Sequence, residues 1–284
     1  AEIAGFAQAM RDKMTRIEGV DGAIDMCGTG GDASGTFNIS TTATFVVAAA
    51  GVPVAKHGNR SMTSKSGSAD VLSELGINIA LEPKLVSKCI KDIGIGFMFA
   101  PSLHPAMKYA MGARTALGVR TVFNILGPLC NPAGVNRQLM GVFDGGLTEQ
   151  IAEVLKKLGS VRAMVVHGND GLDEISNSAS SQISHLQEDG SIKKMNFIPG
   201  DYGFELSDHS ELKGGDPKEN AEISMNILKN NERGKKTDIV IINAAAGILV
   251  GGKAENMKDA IEMAKDMIIS GAALQKLNEL ASVH

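Results

Sequence analysis

Residues 27–42 read CGTGGDASGTFNISTT and constrain the fold more than any other stretch of the chain. Gly28, Gly30, Gly31 and Gly35 fall within eight positions, and a polar cluster that can cap a helix follows them. Glycines let the backbone turn tightly and bring its N–H groups close to a ligand. A short strand over 23–26 leads into the run, and an apolar helical segment over 43–50, stopped by Gly51, leads out of it. A helix N-terminus adds unpaired N–H groups and the positive end of a dipole, so this strand–loop–helix unit can hold phosphate. A tight loop with an ordinary Ser/Thr cap is the other reading, and these residues alone do not decide between them.

The pattern around this unit repeats its logic. A strand over 52–56 delivers KHGNRSMTSKSGSAD, residues 56–70, before a helix over 71–75. Helices follow over 83–93, 104–117, 147–158, 218–230, 254–270 and 273–280, with strands over 97–100, 139–143 and 162–166 between them. Short alternating segments over 180–199 predict antiparallel excursions at a sheet edge. The run 238–250 is apolar and fits either a strand or a buried helix. Gly127-Pro128 and Asn131-Pro132 read as sharp breaks, and Ile3, Phe6, Ala7, Met10 and Met14 share one face of an opening helix that packs on something. Strands alternating with helices define an α/β fold with a mostly parallel central sheet flanked by helices. Ligands in such sheets sit beyond the carboxyl ends of the strands, which makes the loops after Met26, Lys56 and Val166 candidates to share one cleft.

Composition narrows the function. With 284 residues, 43% hydrophobic and 21% charged, the chain is of globular type and large enough for a substantial core. A formal net charge of −4 argues against a general nucleic-acid or anionic-membrane binder. Cys27, Cys89 and Cys130 are scattered and odd in number, which suggests neither a disulfide framework nor a zinc site and fits a reducing cytoplasm. No apolar run reaches the roughly 20 residues of a membrane span. The chain opens AEIAGFAQAMRDKM, an amphipathic helix rather than an export signal, and the absence of an initiating Met points to a natural start before Ala1.

Three constellations can carry chemistry. Lys56, His57, Asn59, Arg60, Ser61, Thr63, Ser64, Lys65, Ser66 and Ser68 crowd the second loop with cations and hydroxyls suited to phosphate oxygens. The glycine run is neither a P-loop nor a dinucleotide fingerprint, since GxxxxGK[ST] and GxGxxG are both absent. Asp173 and Glu174 put two hard oxygen donors at a strand end; this suits Mg²⁺, although adjacent acids are commonly just solvated. Arg114 lies among apolar helical neighbours, either at the surface or aimed at a carboxylate in a cleft. Cys27 lacks a placed base and reads as a structural thiol; His57 and His104 lack metal-ligand spacing, and His104 before Pro105 fits a helix start.

Taken together, GTGGD at 28–32, FNIST at 37–41, KHGNR at 56–60, GSAD at 67–70, HPAMKYAMGARTALGVRTVFNILGPLCNPA at 104–133 and GLDE at 171–174 resemble anthranilate phosphoribosyltransferases, in the same order along nearly the whole chain. The resemblance implies transfer of a phosphoribosyl group from phosphoribosyl pyrophosphate to anthranilate in tryptophan biosynthesis, with pyrophosphate released. It implies that Gly28, Gly31, Asp32, Thr36, Asn38, Ser40 and Thr41 hold the pyrophosphate end. Lys56, His57, Gly58, Asn59, Arg60, Ser64 and Ser68 would complete the phosphoribosyl site. Gly28, Asn59 and Arg114 would meet anthranilate, with Arg114 near its carboxylate, and Ser40, Asp173 and Glu174 would hold Mg²⁺, as two ions with the substrate bound. No residue is assigned as acid or base.

The same resemblance implies a small helical domain, here incomplete. Family members begin with further helices before the segment matching residues 1–14. Residues 1–20 are therefore expected to be a remnant of that domain, joined by helices within 104–126, while 21–103 and 127–284 form the α/β domain. A homodimer when full length, a cytoplasmic location, and no membrane or nucleic-acid partner follow from it too. A pyrimidine nucleoside phosphorylase is the runner-up within the fold, but the 56–59 loop and Asp173-Glu174 look like the transferase. A non-catalytic, nucleic-acid-binding relative would show a basic groove and eroded loops, against the charge and motifs present here.

Overall fold

A computed structural model of the chain describes residues 1–32, 34–61, 65–109, 112 and 121–284. Its centre is a seven-stranded sheet in the order β3-β2-β1-β4-β5-β6-β7. The strands are β1 (Ile24–Gly28), β2 (Val54–Gly58), β3 (Ile95–Phe99), β4 (Arg137–Gly141), β5 (Arg162–Gly168), β6 (Ser181–Leu186) and β7 (Ile192–Phe197). The first five run parallel, and β6 and β7 add an antiparallel edge where the alternating segments of 180–199 predict it. Chain order reverses on either side of β1, so its carboxyl end lies at the switch point where sheets of this kind leave a crevice.

Parallel strands covered on both faces read as nearly continuous apolar runs, and successive side chains go to opposite layers. Leu139, Met164 and Val166 join one core layer, while Met140, Ala163 and Val165 join the other. The first layer is dominated by the helix Lys235–Val250, which packs against the helices Ile39–Ala49 and Met257–Ile269. The run left open between strand and helix is thus a helix, buried from Thr237 to Val250 apart from Asp238. Gly247 makes its close approach possible: a Cβ there would stand 2.8 Å from both Met26 Sδ and Val47 Cγ2. The second layer contains the helices Phe123–Leu129 and Thr148–Lys157.

Two sequence expectations change. Gly127-Pro128 does not break the chain, because Pro128 sits inside the helix Phe123–Leu129, one residue from its end. A proline there removes one N–H from a helix that is already finishing. The opening helix, Glu2–Arg11, buries Ala7 fully but leaves Phe6 54% exposed, so the five-residue apolar face is only partly covered. Within 104–117 the described residues begin with a 3-10 turn, Pro105–Met107, and most of the remainder lies outside the described residues. Among the described residues no helix is long and apolar enough to cross a membrane.

Candidate active site

The loops after β1, β2 and β5 meet at the carboxyl edge of the sheet. Gly30 and Gly31 have φ values of +67° and +76°, in the left-handed region that glycine enters freely. This turn aims the Gly30 N–H at Asp173 Oδ2, 2.7 Å away. At Gly28 an added Cβ would run into that same carboxylate, and at Gly141 into the Asp173 carbonyl. Glycines at the ends of β1 and β4 therefore let the β5 loop lie directly against the glycine loop.

Asn38 occupies the N-cap of the helix Ile39–Ala49 without capping it through its side chain. Its amide instead takes hydrogen bonds from Ser66 Oγ (3.2 Å) and Asn220 Nδ2 (3.0 Å) and donates to the Ser66 carbonyl (3.3 Å), which joins the first loop to the second. The Ser40 N–H in the first turn donates to Glu174 Oε1 at 3.1 Å. The ordinary Ser/Thr cap is thus replaced by a carboxylate from 134 residues away. An acceptor with negative charge already sits where a helix N-terminus attracts one.

Asp173 and Glu174 are electrostatically uncomfortable. Burial, then the charge of Asp32, raises the Asp173 pKa to about 7. Burial, then the charge of Asp173, raises that of half-buried Glu174 to about 8. Lys56 and single backbone N–H groups offset this in part. Carboxylates brought together with so little compensation fit a divalent cation. Among the described residues no three His, Cys, Asp or Glu side chains form a complete cage. Two adjacent carboxylates would suit Mg²⁺, which is held by one or two carboxylates and finishes its shell with water and substrate phosphates.

The second loop is stitched from within. Asp70 accepts hydrogen bonds from Ser61 N–H (2.9 Å), Gly67 N–H (2.9 Å) and Arg60 Nη1 (2.7 Å). Asn59 Oδ1 accepts from the Arg60 N–H and its carbonyl accepts from Ser68 Oγ at 3.3 Å. Gly58 leaves no room for a Cβ against Ser68 Oγ. Lys56 is only 3% exposed, and its Nζ donates to the Met26 carbonyl at 2.7 Å. Thr41 is buried within its helix, while Asp32 and Thr36 lie in the glycine loop with exposed surface. Ser64 and Arg114 lie outside the described residues.

Sequence reasoning missed several partners. His57 and His104 are buried together, Nε2 to Nε2 at 3.2 Å, and burial followed by the neighbouring ring lowers the His57 pKa to about 3. Asp25 is fully buried in β1 and accepts hydrogen bonds from Asn131 Nδ2 (2.8 Å) and the His57 N–H (3.2 Å). Burial and the Asp25 charge push the Cys27 thiol well above its ordinary value, which keeps it protonated as its structural reading requires. A strap over 209–215 closes the glycine loop: His209 Nε2 meets the Ser34 carbonyl (3.2 Å), Thr36 bridges Lys213, and the Gly214 N–H donates to the Gly35 carbonyl (3.0 Å). The one signal for such residues was a polar side chain inside an apolar run, as at Asp25 and Asn243.

The glycine loop and the acidic pair meet at the switch point of a parallel sheet, where α/β proteins hold their ligands. Residues 20–274 match the family model described as "Glycosyl transferase family, a/b domain". The chain is 53% identical over 280 residues to the anthranilate phosphoribosyltransferase of Desulfatibacillum aliphaticivorans, covering 98% of this chain and 82% of that one. The crystal structure of anthranilate phosphoribosyltransferase from Thermus thermophilus superposes with a TM-score of 0.93 at 39% identity, covering 99% of this chain and 84% of that one. The solved structure of the Saccharomyces cerevisiae enzyme in complex with phosphoribosyl pyrophosphate and Mg gives a TM-score of 0.89 at 31% identity, covering 99% of this chain and 79% of that one. The chain belongs to the anthranilate phosphoribosyltransferase family.

Proposed function

We propose that this chain transfers the 5-phosphoribosyl group of phosphoribosyl pyrophosphate to the amine of anthranilate, releasing pyrophosphate, as a Mg²⁺-dependent step of tryptophan biosynthesis. The observation that carries this reading is the meeting of the glycine loop with Asp173 and Glu174, through the Gly30 and Ser40 N–H groups, at the carboxyl edge of the sheet.

The C1′–O bond breaks with its electron pair going to pyrophosphate, and the anthranilate nitrogen forms the new C1′–N bond and then loses a proton. Pyrophosphate leaves as a polyanion, so donors already aimed at it lower the barrier most. Gly28, Gly31, Asp32, Thr36, Asn38, Ser40 and Thr41 line or support its cradle, while Asp173, Glu174 and the Ser40 hydroxyl hold Mg²⁺, as two ions. The metal supplies charge neutralisation on the departing oxygens. Lys56, His57, Gly58, Asn59, Arg60, Ser64 and Ser68 frame the phosphoribosyl group. Gly28, Asn59 and Arg114 position anthranilate, whose neutral aromatic amine needs alignment more than a strong base.

The family resemblance assigns residues 1–20, with helices of 104–126, to a small helical domain beside an α/β domain of 21–103 and 127–284, and the helix Glu2–Arg11 packs on both Phe123–Leu129 and Thr148–Lys157. The family resemblance supports a full-length homodimer working in the cytoplasm. Mixing the chain with both substrates and Mg²⁺ and following the loss of anthranilate fluorescence tests the activity. A folded, full-length preparation without turnover would refute it.

A further inference from the structure

Asn243 is the lone polar side chain in the stretch 239–250, and it is 0% exposed. Its Oδ1 accepts the Ile175 N–H at 3.0 Å, and its Nδ2 donates to the Ile175 carbonyl at 2.9 Å and to the Ile239 carbonyl at 2.9 Å. Both polar groups of one backbone residue are thus held by a single side-chain amide. Contact with the N–H and the carbonyl of the same residue admits only one orientation of that amide.

Ile175 directly follows Glu174, in a segment that belongs to no strand or helix. Buried backbone outside a regular ladder must find other partners, and here the central helix supplies them. Upstream, the same short segment is held by the bonds from Gly30 and Ser40 to the two carboxylates. Four residues beyond Asn243, on the same helix face, Gly247 admits Met26 at the root of the glycine loop. One helix face therefore fixes both sides of the cleft.

We propose that Asn243 is a positioning residue for the metal-holding carboxylates: by clamping the Ile175 backbone it sets where Asp173 and Glu174 stand relative to the glycine loop. This rests on the reading of Asp173 and Glu174 as Mg²⁺ ligands. Groups that orient metal ligands typically change metal affinity or activity by about 10- to 100-fold when removed.

The test begins with the metal-free wild-type chain, in which hydrogen exchange should find the Ile175 amide as protected as amides of β4 and β5. Free exchange there would overturn the proposal before any variant is made. Asn243→Leu and Asn243→Ser, which remove the acceptor or draw it back from the Ile175 N–H, should each lose that protection. They should also need roughly tenfold more Mg²⁺ for half of the rise in Tm that Mg²⁺ and pyrophosphate together produce. Ile241→Ala, a truncation on the opposite face of the same helix, should lower Tm without moving the Mg²⁺ midpoint. An unchanged midpoint in the Asn243 variants, or an equal shift in Ile241→Ala, would leave Asn243 a merely structural residue. A wild-type chain that gave no Tm response to Mg²⁺ and pyrophosphate would refute the ligand reading itself, with the exchange result standing separately.

Discussion

Asp25 and the Asp173-Glu174 pair are all carboxylates enclosed at the same sheet, yet their surroundings differ in kind. Burial holds the Asp25 pKa above its ordinary value too, but the fold gathers groups that oppose the rise around it: the Lys56 charge, the Asn131 amide, the His57 N–H and the Cys27 thiol. Around Asp173 and Glu174 it gathers other acids, and their pKa values climb to about 7 and about 8. Burying a charge is costly unless it is paired, so the first arrangement is a finished piece of structure. The second is the arrangement that a bound cation would relieve. Lys56 belongs to both, since its charge also reaches Glu174. Its buried contact with Met26 marks it as the floor of the site more than as a hand on the substrate.

Removing that floor gives the largest expected effect on stability. Lys56→Met strips Asp25 of its nearby cation and the Met26 carbonyl of its donor, and should destabilise the chain by about 1–3 kcal/mol, read by urea denaturation followed by circular dichroism. Unchanged stability would mean that Asp25 needs no cation, and the contrast would collapse. Glu174→Gln should act with opposite signs on two properties. Turnover should fall about 100-fold or more, as loss of a metal contact demands. The metal-free protein should become more stable at pH 8 by on the order of 1 kcal/mol, because a charge held unfavourably is gone. A destabilised Glu174→Gln chain would show that the acid is already well compensated.

Titration sharpens the contrast further. Acids whose pKa is raised in the folded state hold more protons there than in the unfolded chain, so their contribution to stability is present at low pH and lost as pH rises. For Asp173 and Glu174 the loss runs from about pH 4 in the unfolded chain to their folded values of about 7 and about 8. The Tm of the metal-free protein should fall by roughly a few degrees between about pH 5 and pH 8. Mg²⁺ with pyrophosphate should flatten that slope, and an equal slope with and without them would remove the pair from the metal site. The smallest effect on stability, read by urea denaturation, belongs to Arg60→Ala. The Arg60–Asp70 pair is formed at 2.7 Å, but its arginine is 56% exposed, and such surface pairs contribute about 0–1 kcal/mol.

What the sequence made legible was whatever lies close together along the chain. The glycine run, the 56–70 loop and the Asp173-Glu174 pair each advertise themselves through neighbours in sequence. At Asp25 and Asn243 a polar residue inside an apolar run was the whole signal, because their partners Asn131 and Ile175 lie 106 and 68 residues away. Length separates helix from strand at Lys235–Val250, whose apolar run is too long for a strand; the longest strand among the described residues has seven residues. Phe6 misled because a helical face records what a helix is able to bury, and this one covers Ala7 while Phe6 faces outward.

The strap over the glycine loop has a consequence for the order in which the protein comes into being. Ser34 leaves the ribosome 175 residues before His209, its partner in the strap. At about 5–20 residues per second that is a wait of roughly 10–35 s. During that interval β1 to β5 can pair, but the glycine loop lacks the strap that closes it. A nascent chain can therefore gain its sheet first and its closed glycine loop afterwards, once residues 209–215 have emerged.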